Sequence, residues 1–265
     1  MWNCKKCNEE IDDVFDEARI FASGDVSGPY RIGPLRIGSP ICEDAWFDDV
    51  TETHAESGAE ILFVPNGSPY MRAKQDHRIA LMVARVVETG LPLIYLNLVG
   101  GQDDQVFDGA SFALNRGGAL AAQMKTLDED ICHLDLELGD EGWTIKQGPL
   151  EPRPDEYEQD YNVMVTALRD YMGKTGFKKV LLGMSGGIDS ALVATIAVDA
   201  LGPENVRCVM LPSEYTSSHS LEDAEKAARA LGVRMDTLPI AGPRAAVTEA
   251  LAPLFEGTKP DLTEE

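Results

Sequence analysis

Residues 178–201, KKVLLGMSGGIDSALVATIAVDAL, constrain the fold more than any other stretch of the chain. An apolar run enters a bare turn, Gly183-Met184-Ser185-Gly186-Gly187-Ile188-Asp189-Ser190, and a second apolar run leaves it. The pattern predicts a strand over 178–184 and a helix over 191–201, with the turn between them. Backbone N–H groups at a helix start point outward unpaired and favour an anion. Glycine lets the backbone close on that anion with no Cβ in the way, and Ser185 and Ser190 add hydroxyl donors. The turn lacks the Gly-Lys-Ser/Thr ending of a Walker A loop and does not match the dinucleotide G-x-G-x-x-G. Asp189 would repel phosphates unless a divalent cation sat between them, which makes it the candidate Mg²⁺ ligand.

The residues that follow extend the same architecture. VRCVMLP (206–212) and VRMDTLPI (233–240) read as strands, and 219–231 and 243–255 as helices. Strand–helix alternation of this kind implies a parallel sheet wound by right-handed crossovers, with ligands at the carboxyl ends of its strands. A helix is expected over 156–173, preceded by GDEGWTIKQGPLEPRPD (139–155), rich in Pro, Gly and charge, which reads as a linker. Before it, 35–42, 59–66, 91–99, 109–115 and 131–138 read as strands. Over 71–89 the helical spacing gives an apolar face of Ile79, Leu81, Met82, Ala84, Val86 and Val87.

The 265 residues carry a net charge of −22, which argues against nucleic acid or an anionic membrane as partner. No apolar run approaches the roughly 20 residues of a membrane span, and the N-terminus has no signal-peptide pattern. A cytoplasmic location is expected, with the five cysteines as reduced thiols. One of them stands apart. ICEDAW (41–46) ends an apolar strand with Cys42 at what reads as a strand-to-helix turn. A thiol placed there is exposed and close to free backbone donors, which suits a nucleophile whose oxyanion needs stabilising.

SGGIDS resembles the pyrophosphate loop of ATP pyrophosphatases, and the sequel VMLPSEYTSSHSLEDAEKAARALGV (209–233) resembles NAD synthetases. ICED, VPNGSPY (64–70) and VGGQDDQVFDGASF (99–112) resemble the nitrilase-type glutaminase domain of glutamine-dependent NAD synthetases. The resemblance implies an α/β fold: a partial nitrilase-like α-β-β-α sandwich over 14–138, then a partial doubly wound parallel sheet of the adenine nucleotide alpha hydrolase type over 156–265. It implies that ATP and Mg²⁺ drive amidation of deamido-NAD with ammonia taken from glutamine. By the same resemblance Cys42 is the glutaminase nucleophile, Ser68 and Lys74 hold glutamine, and residues 183–190 with Met210 bind ATP. Family members often carry a basic residue near Glu214, which this chain lacks there. Large homo-oligomers are usual in the family.

Two further expectations concern the ends. The family's glutaminase also uses a glutamate and a lysine. The glutamate's segment is expected to precede Met1, and further synthetase helices to follow Glu265, so the chain reads as a central fragment without turnover of its own. Lys6 lies eight residues before Val14 and 36 before Cys42, where the family's catalytic lysine falls. Cys4 and Cys7, in an otherwise unmatched segment 1–13, form a lone C-x-x-C, half of a tetrahedral zinc site. Two rival readings remain open: another pyrophosphate-loop amidoligase fused to a nitrilase-like amidase, and a non-catalytic nucleotide- or partner-binding remnant.

Overall fold

A computed structural model describes residues 2–3, 10–11 and 24–257. Two short strands, β1 (Trp2–Asn3) and β2 (Glu10–Ile11), pair at the start. A mixed six-stranded sheet follows, built from β3 (Tyr30–Ile32), β4 (Leu35–Gly38), β5 (Ile61–Asn66), β6 (Leu93–Asn97), β9 (Phe112–Leu114) and β10 (Leu120–Gln123). Its spatial order is β10-β9-β6-β5-β4-β3. β4, β5 and β6 run parallel, and the outer strands are antiparallel to their neighbours.

Alternation along the strands sorts their side chains to two faces. Leu62, Val64, Leu93, Tyr95, Phe112 and Leu114 pack with Met82 and Val86 of helix α2 (Lys74–Thr89) and Ala45 beneath helix α1 (Asp48–Glu56). On the other face Ile61, Ala113, Ala121 and Ala122 meet Ile145. That residue ends β12 (Gly142–Ile145), which forms a hairpin with β11 (Leu136–Gly139). Asn115 fixes the hairpin by exchanging two hydrogen bonds with the Ile145 backbone, at 2.7 and 2.8 Å. The stretch expected as a linker therefore includes a strand. It continues along β10, where Gln123 N donates to the Pro149 carbonyl at 2.8 Å. Residues 99–108 form a second hairpin, β7 (Val99–Gln102) with β8 (Gln105–Asp108), that the apolar pattern did not announce.

The second half begins at α3 (Glu156–Thr175). Asp155 caps it by accepting from the N–H groups of Tyr157 and Glu158, and Gly176, left-handed at φ 80°, closes it. The parallel sheet β13 (Val180–Gly183), β14 (Val206–Met210), β15 (Arg234–Thr237) is ordered 13-14-15. Its crossovers are α4 (Ile188–Leu201) and α5 (Ser218–Leu231), and α6 (Ala241–Leu251) follows. Met184, Ala194, Ala197, Cys208, Met210, Ala224 and Ala228 form its core. Small alanines on α4 and α5 let both helices lie close to the sheet. Among the described residues no helix is long and apolar enough to cross a membrane.

Candidate functional site

Two sites lie at the carboxyl ends of parallel strands. In the first, Cys42 follows β4, Ser68 follows β5, and Asn97 ends β6. Cys42 opens a short 3₁₀ turn, Cys42–Trp46, and its backbone is left-handed at φ 52°. That conformation is uncommon outside glycine and costs of the order of 1–3 kcal/mol, a strain typical of sites where function fixes the backbone. The turn is closed by Asp44, whose N–H donates to the Ile41 carbonyl and whose carboxylate accepts from the Ile41 N–H, both at 3.0 Å. Cys42 is half-buried. Cys132 and Cys208 have their thiol pKa raised, chiefly by burial in both cases.

Ser68 is buried within a polar cluster centred on Arg78, itself 1% exposed. The guanidinium pairs with Asp108 at 2.8 Å, donates to the Ser68 carbonyl at 2.8 Å and the Pro69 carbonyl at 3.0 Å, and reaches Ser68 Oγ at 3.0 Å. Asn97 accepts from the Ser68 N–H at 2.9 Å, and Gln75 Oε1 accepts from Arg78 at 3.1 Å. With Oγ already accepting from Arg78, the Ser68 hydroxyl still has its proton to donate. The predicted apolar face of α2 is only partly the buried one. Its buried stripe is Gln75, Arg78, Met82, Arg85 and Val86, whereas Val87 is exposed. Polar residues at helical spacing held the signal for this cluster, but without a fold they read as a solvated face. Lys74 begins α2, directly after Ala73, which is left-handed at φ 58°. Tyr95 stacks on Phe112 with ring centroids 4.8 Å apart, and burial pushes its phenol up to about 12.

The second site is the turn after β13. α4 starts on Gly187 with no side-chain cap, so its first N–H groups face outward. Ser185 Oγ accepts from Gly187 N at 3.2 Å, while Ser190 Oγ donates to the Gly187 carbonyl at 3.0 Å; the two hydroxyls lie 3.0 Å apart. They brace the turn: with the Ser190 proton given to the Gly187 carbonyl, the contact between the two hydroxyls uses the Ser185 proton, so the donors expected of them are spent within the turn. A Cβ at Gly183 would meet nothing within 4 Å, whereas at Gly186 (φ 84°) it would strike the Ser220 carbonyl of α5 at 2.2 Å. Gly183 thus leaves open space beside the turn, and Gly186 is demanded by the chain itself. Met184 and Met210 are buried in the core, and the Met184 N–H already donates to the Val209 carbonyl while the Met210 carbonyl accepts from the Leu238 N–H. Ile188 is 84% exposed, and Asp189 is exposed on the first turn of α4.

Among the described residues no group of three or more His, Cys, Asp and Glu side chains could hold a metal. A lone carboxylate such as Asp189 nonetheless suits Mg²⁺, which keeps several waters and takes one or two protein carboxylates with further ligands from a substrate's phosphates. Near the same strand ends, Arg244 of α6 pairs with Glu214 and stacks over Tyr215 with its Cζ 4.7 Å from the ring centroid. The pairing holds the Glu214 carboxyl below its ordinary range. A cation missing from the sequence neighbourhood of Glu214 is thereby supplied from α6. Lys6, Cys4 and Cys7 lie outside the described residues. A separate cavity of about 390 Å³, lined by Phe63, Ile94, Leu96, Met124 and Leu134 among others, opens on the sheet face away from α2 and touches neither Cys42 nor residues 183–190.

The left-handed turn at Cys42 and the strand–turn–helix at 183–190 belong to two successive α/β halves, and sequence comparison finds a match for each. The carbon-nitrogen hydrolase family model matches residues 7–145 and the NAD synthase model residues 160–263. The chain belongs to the carbon-nitrogen hydrolase family and carries an NAD synthase domain behind it. The resemblance to glutamine-dependent NAD(+) synthetases extends over nearly the whole chain. The Rhodobacter capsulatus enzyme of that name is 58% identical over 254 residues, 96% of this chain and 46% of its own length. The one from Xanthomonas campestris is 42% identical over 95% of this chain and 46% of its own. A glutamine-dependent NAD+ synthetase from Acinetobacter baumannii, solved in complex with ADP, superposes with a TM-score of 0.88 at 36% identity, covering 95% of this chain and 48% of that one. The expected α/β fold, nitrilase-like and then NAD synthetase-like, is thus borne out. The chain spans about half the length of these relatives.

Proposed function

We propose that the chain carries the glutaminase and synthetase chemistry of a glutamine-dependent NAD⁺ synthetase, a C–N ligase, with residues 14–138 serving the first and 156–265 the second. The observation that carries this reading is the strained, half-buried Cys42 elbow at the end of a parallel strand, joined in one chain to an uncapped helix start behind a glycine turn. Cys42 Sγ attacks the carboxamide carbon of glutamine, which releases ammonia and leaves a thioester that water cleaves. Ser68 and Lys74 orient the glutamine, and Lys6 is the candidate lysine that stabilises the tetrahedral oxyanion. At the second site the nicotinate carboxylate of deamido-NAD attacks the α-phosphorus of ATP, and pyrophosphate leaves onto residues 183–190. Ammonia then displaces AMP to give NAD. The Met210 backbone lies beside the nucleotide. Asp189 would hold Mg²⁺, whose positive charge would let a carboxylate face phosphates. That a relative was solved in complex with ADP supports the nucleotide part of this reading. We place the protein in the cytoplasm as a homo-oligomer of its parent polypeptide, bound to neither nucleic acid nor membrane.

Calorimetry and labelling test both sites. Asp189→Asn is expected to weaken Mg·ATP at least tenfold while adenosine binding stays unchanged; equal weakening of both removes the metal role. Limiting iodoacetamide is expected to label Cys42 ahead of Cys132 and Cys208, whose thiols burial disfavours. Pyrophosphate exchange into ATP that depends on deamido-NAD, and on no other carboxylic acid, identifies the acceptor. Exchange with a different acid would assign the chain to another amidoligase.

A further inference from the structure

Two consecutive residues of α3 face opposite halves of the molecule. Asp160 reaches the loop between Ser68 and Lys74: Oδ1 accepts from the Tyr70 hydroxyl at 2.7 Å and Oδ2 from Arg72 Nε at 2.7 Å. Glu156, one turn earlier, pairs with Arg72 at 3.1 Å, and the guanidinium lies 5.8 Å from the Tyr157 ring centroid. Tyr161, the next residue, donates to Asp199 Oδ2 of α4 at 2.5 Å. That helix carries Asp189 on its first turn. Further along α3, Asp170 accepts from the Gly101 N–H at 2.7 Å, and Lys174 donates to the Gly101 carbonyl and, at 3.1 Å, to Gln102. Gly101 permits this approach, since a Cβ there would lie 3.1 Å from Asp170 Cβ. The β7–β8 hairpin gripped in this way ends in Asp108, the buried partner of Arg78.

One helix of the synthetase half therefore holds both segments that enclose the Arg78 cluster. Between its two ends the 68–74 loop is also held at the Tyr70 N–H, which donates to the Val106 carbonyl at 2.7 Å, and at Arg72 by Glu156, but Asp160 alone among these partners bonds the side chains of both Tyr70 and Arg72. We propose that Asp160 is a positioning residue for glutamine: it fixes the 68–74 loop, and so the relative placement of Ser68 and Lys74, from α3. This rests on the reading of that loop as the glutamine segment. It extends the reading by placing part of the glutaminase site's order in the synthetase half, next to the contact that α3 makes with the nucleotide helix. Stability alone would not account for the arrangement. Arg72 is more than half exposed, and exposed pairs of this kind add little to stability, so their value lies in where they hold the loop.

The test uses the full chain and reads Cys42 alkylation by iodoacetamide, with glutamine as protectant. Asp160→Ala is expected to raise the half-protecting glutamine concentration about tenfold. The alkylation rate without glutamine, the melting temperature and the Mg·ATP affinity are expected to stay as in the unsubstituted chain. Lys226→Ala, which removes exposed ion pairs on α5, is the control expected to change none of these. The exchanged pair Arg72→Asp with Asp160→Arg is expected to recover protection to within threefold, whereas Arg72→Asp alone is not. Unchanged protection in Asp160→Ala, or a loss that tracks a fall in melting temperature, overturns the proposal. If glutamine does not protect Cys42 in the unsubstituted chain, the glutamine reading fails, and amide exchange then decides the positioning role separately. Faster exchange over 69–74 in Asp160→Ala, with 42–46 unchanged, upholds it; equal exchange over 69–74 ends it.

Discussion

Gly186 and Gly183 sit three residues apart in one turn and separate two demands that a glycine-rich sequence merges. Alanine at 186 must adopt φ 84° and drive its Cβ into the Ser220 carbonyl. Left-handed backbone and overpacking together are expected to cost about 2–4 kcal/mol, read as a lower urea midpoint. Alanine at 183 meets nothing within 4 Å and is expected to change stability by less than about 0.5 kcal/mol. If the open side of the turn receives phosphate, Gly183→Ala weakens Mg·ATP without that loss of stability. His54, on the last turn of α1, gives the clearest dependence on pH. It is 3% exposed, its Nδ1 has no hydrogen-bond partner, and it packs against Gly38 at the end of β4. Burial lowers its pKa, with Asp44 pulling the other way. The folded protein therefore refuses a proton that the unfolded chain accepts. Stability from this residue is complete above about pH 6.5 and is lost as the pH falls from there towards the depressed folded value. Between pH 7.5 and 5.5 the urea midpoint is expected to drop, by at most about 1.4 kcal/mol per pH unit for one proton. His54→Leu is expected to flatten that slope; a slope unchanged in the variant assigns the effect to other groups.

At the scale of elements, the Arg78–Asp108 pair joins α2 to the β7–β8 hairpin through two side chains that are each almost wholly buried. Asp108→Ala leaves the guanidinium charge uncompensated and is expected to cost about 3–5 kcal/mol in urea unfolding. A cost below about 1 kcal/mol would mean that water or Gln75 replaces the carboxylate. This pair also shows what the sequence could and could not tell. Most of the strands and helices of 178–255 were legible because their apolar runs end at glycine or a polar cap, as with Gly187 and Gly202 around α4 and Ser217 and Gly232 around α5. The turn at Cys42 was legible because an apolar run leads into a thiol followed by two acids, although the strand expected over 35–42 ends at Gly38. Arg78, Asn97 and Asp108 were not, because burial of a charge depends on partners 11 to 30 residues away that only the folded sheet brings together. Strand β12 was read as linker for a similar reason, whereas β11 falls largely within the 131–138 stretch expected as a strand. The glycines, prolines and charges of 139–155 signal turns, and only Ile145, buried beneath the sheet, marks part of it as packed. Arg244, which brings to Glu214 the cation absent from its sequence neighbourhood, lies 30 residues further along the chain.

On the scale of the whole molecule, two hydrophobic cores are joined through α3, which packs on both the β7–β8 hairpin and α4. The chain's three tryptophans, Trp2, Trp46 and Trp143, all precede α3, so tryptophan fluorescence follows unfolding of the first half alone. Four of the six described α-helices, α3 to α6, belong to the second half, so circular dichroism at helical wavelengths weights that half. A nucleotide bound only to the native turn at 183–190 stabilises by RT ln(1 + [L]/Kd), about 2.7 kcal/mol at a hundredfold excess over Kd. If the two cores unfolded independently, Mg·ATP would raise the helical midpoint and leave the tryptophan midpoint where it was. The ties from Asp160, Asp170 and Lys174 argue for transmission instead: loosening the first half strips α3 of its partners, and holding α3 in place resists that loosening. Mg·ATP is therefore expected to raise both urea midpoints, the tryptophan one by less. Removing the ties together, as Asp160→Ala with Asp170→Ala, is expected to return the tryptophan midpoint to its nucleotide-free value while the helical shift persists. A tryptophan midpoint indifferent to Mg·ATP in the unsubstituted chain would mean that the two cores share a helix without sharing stability.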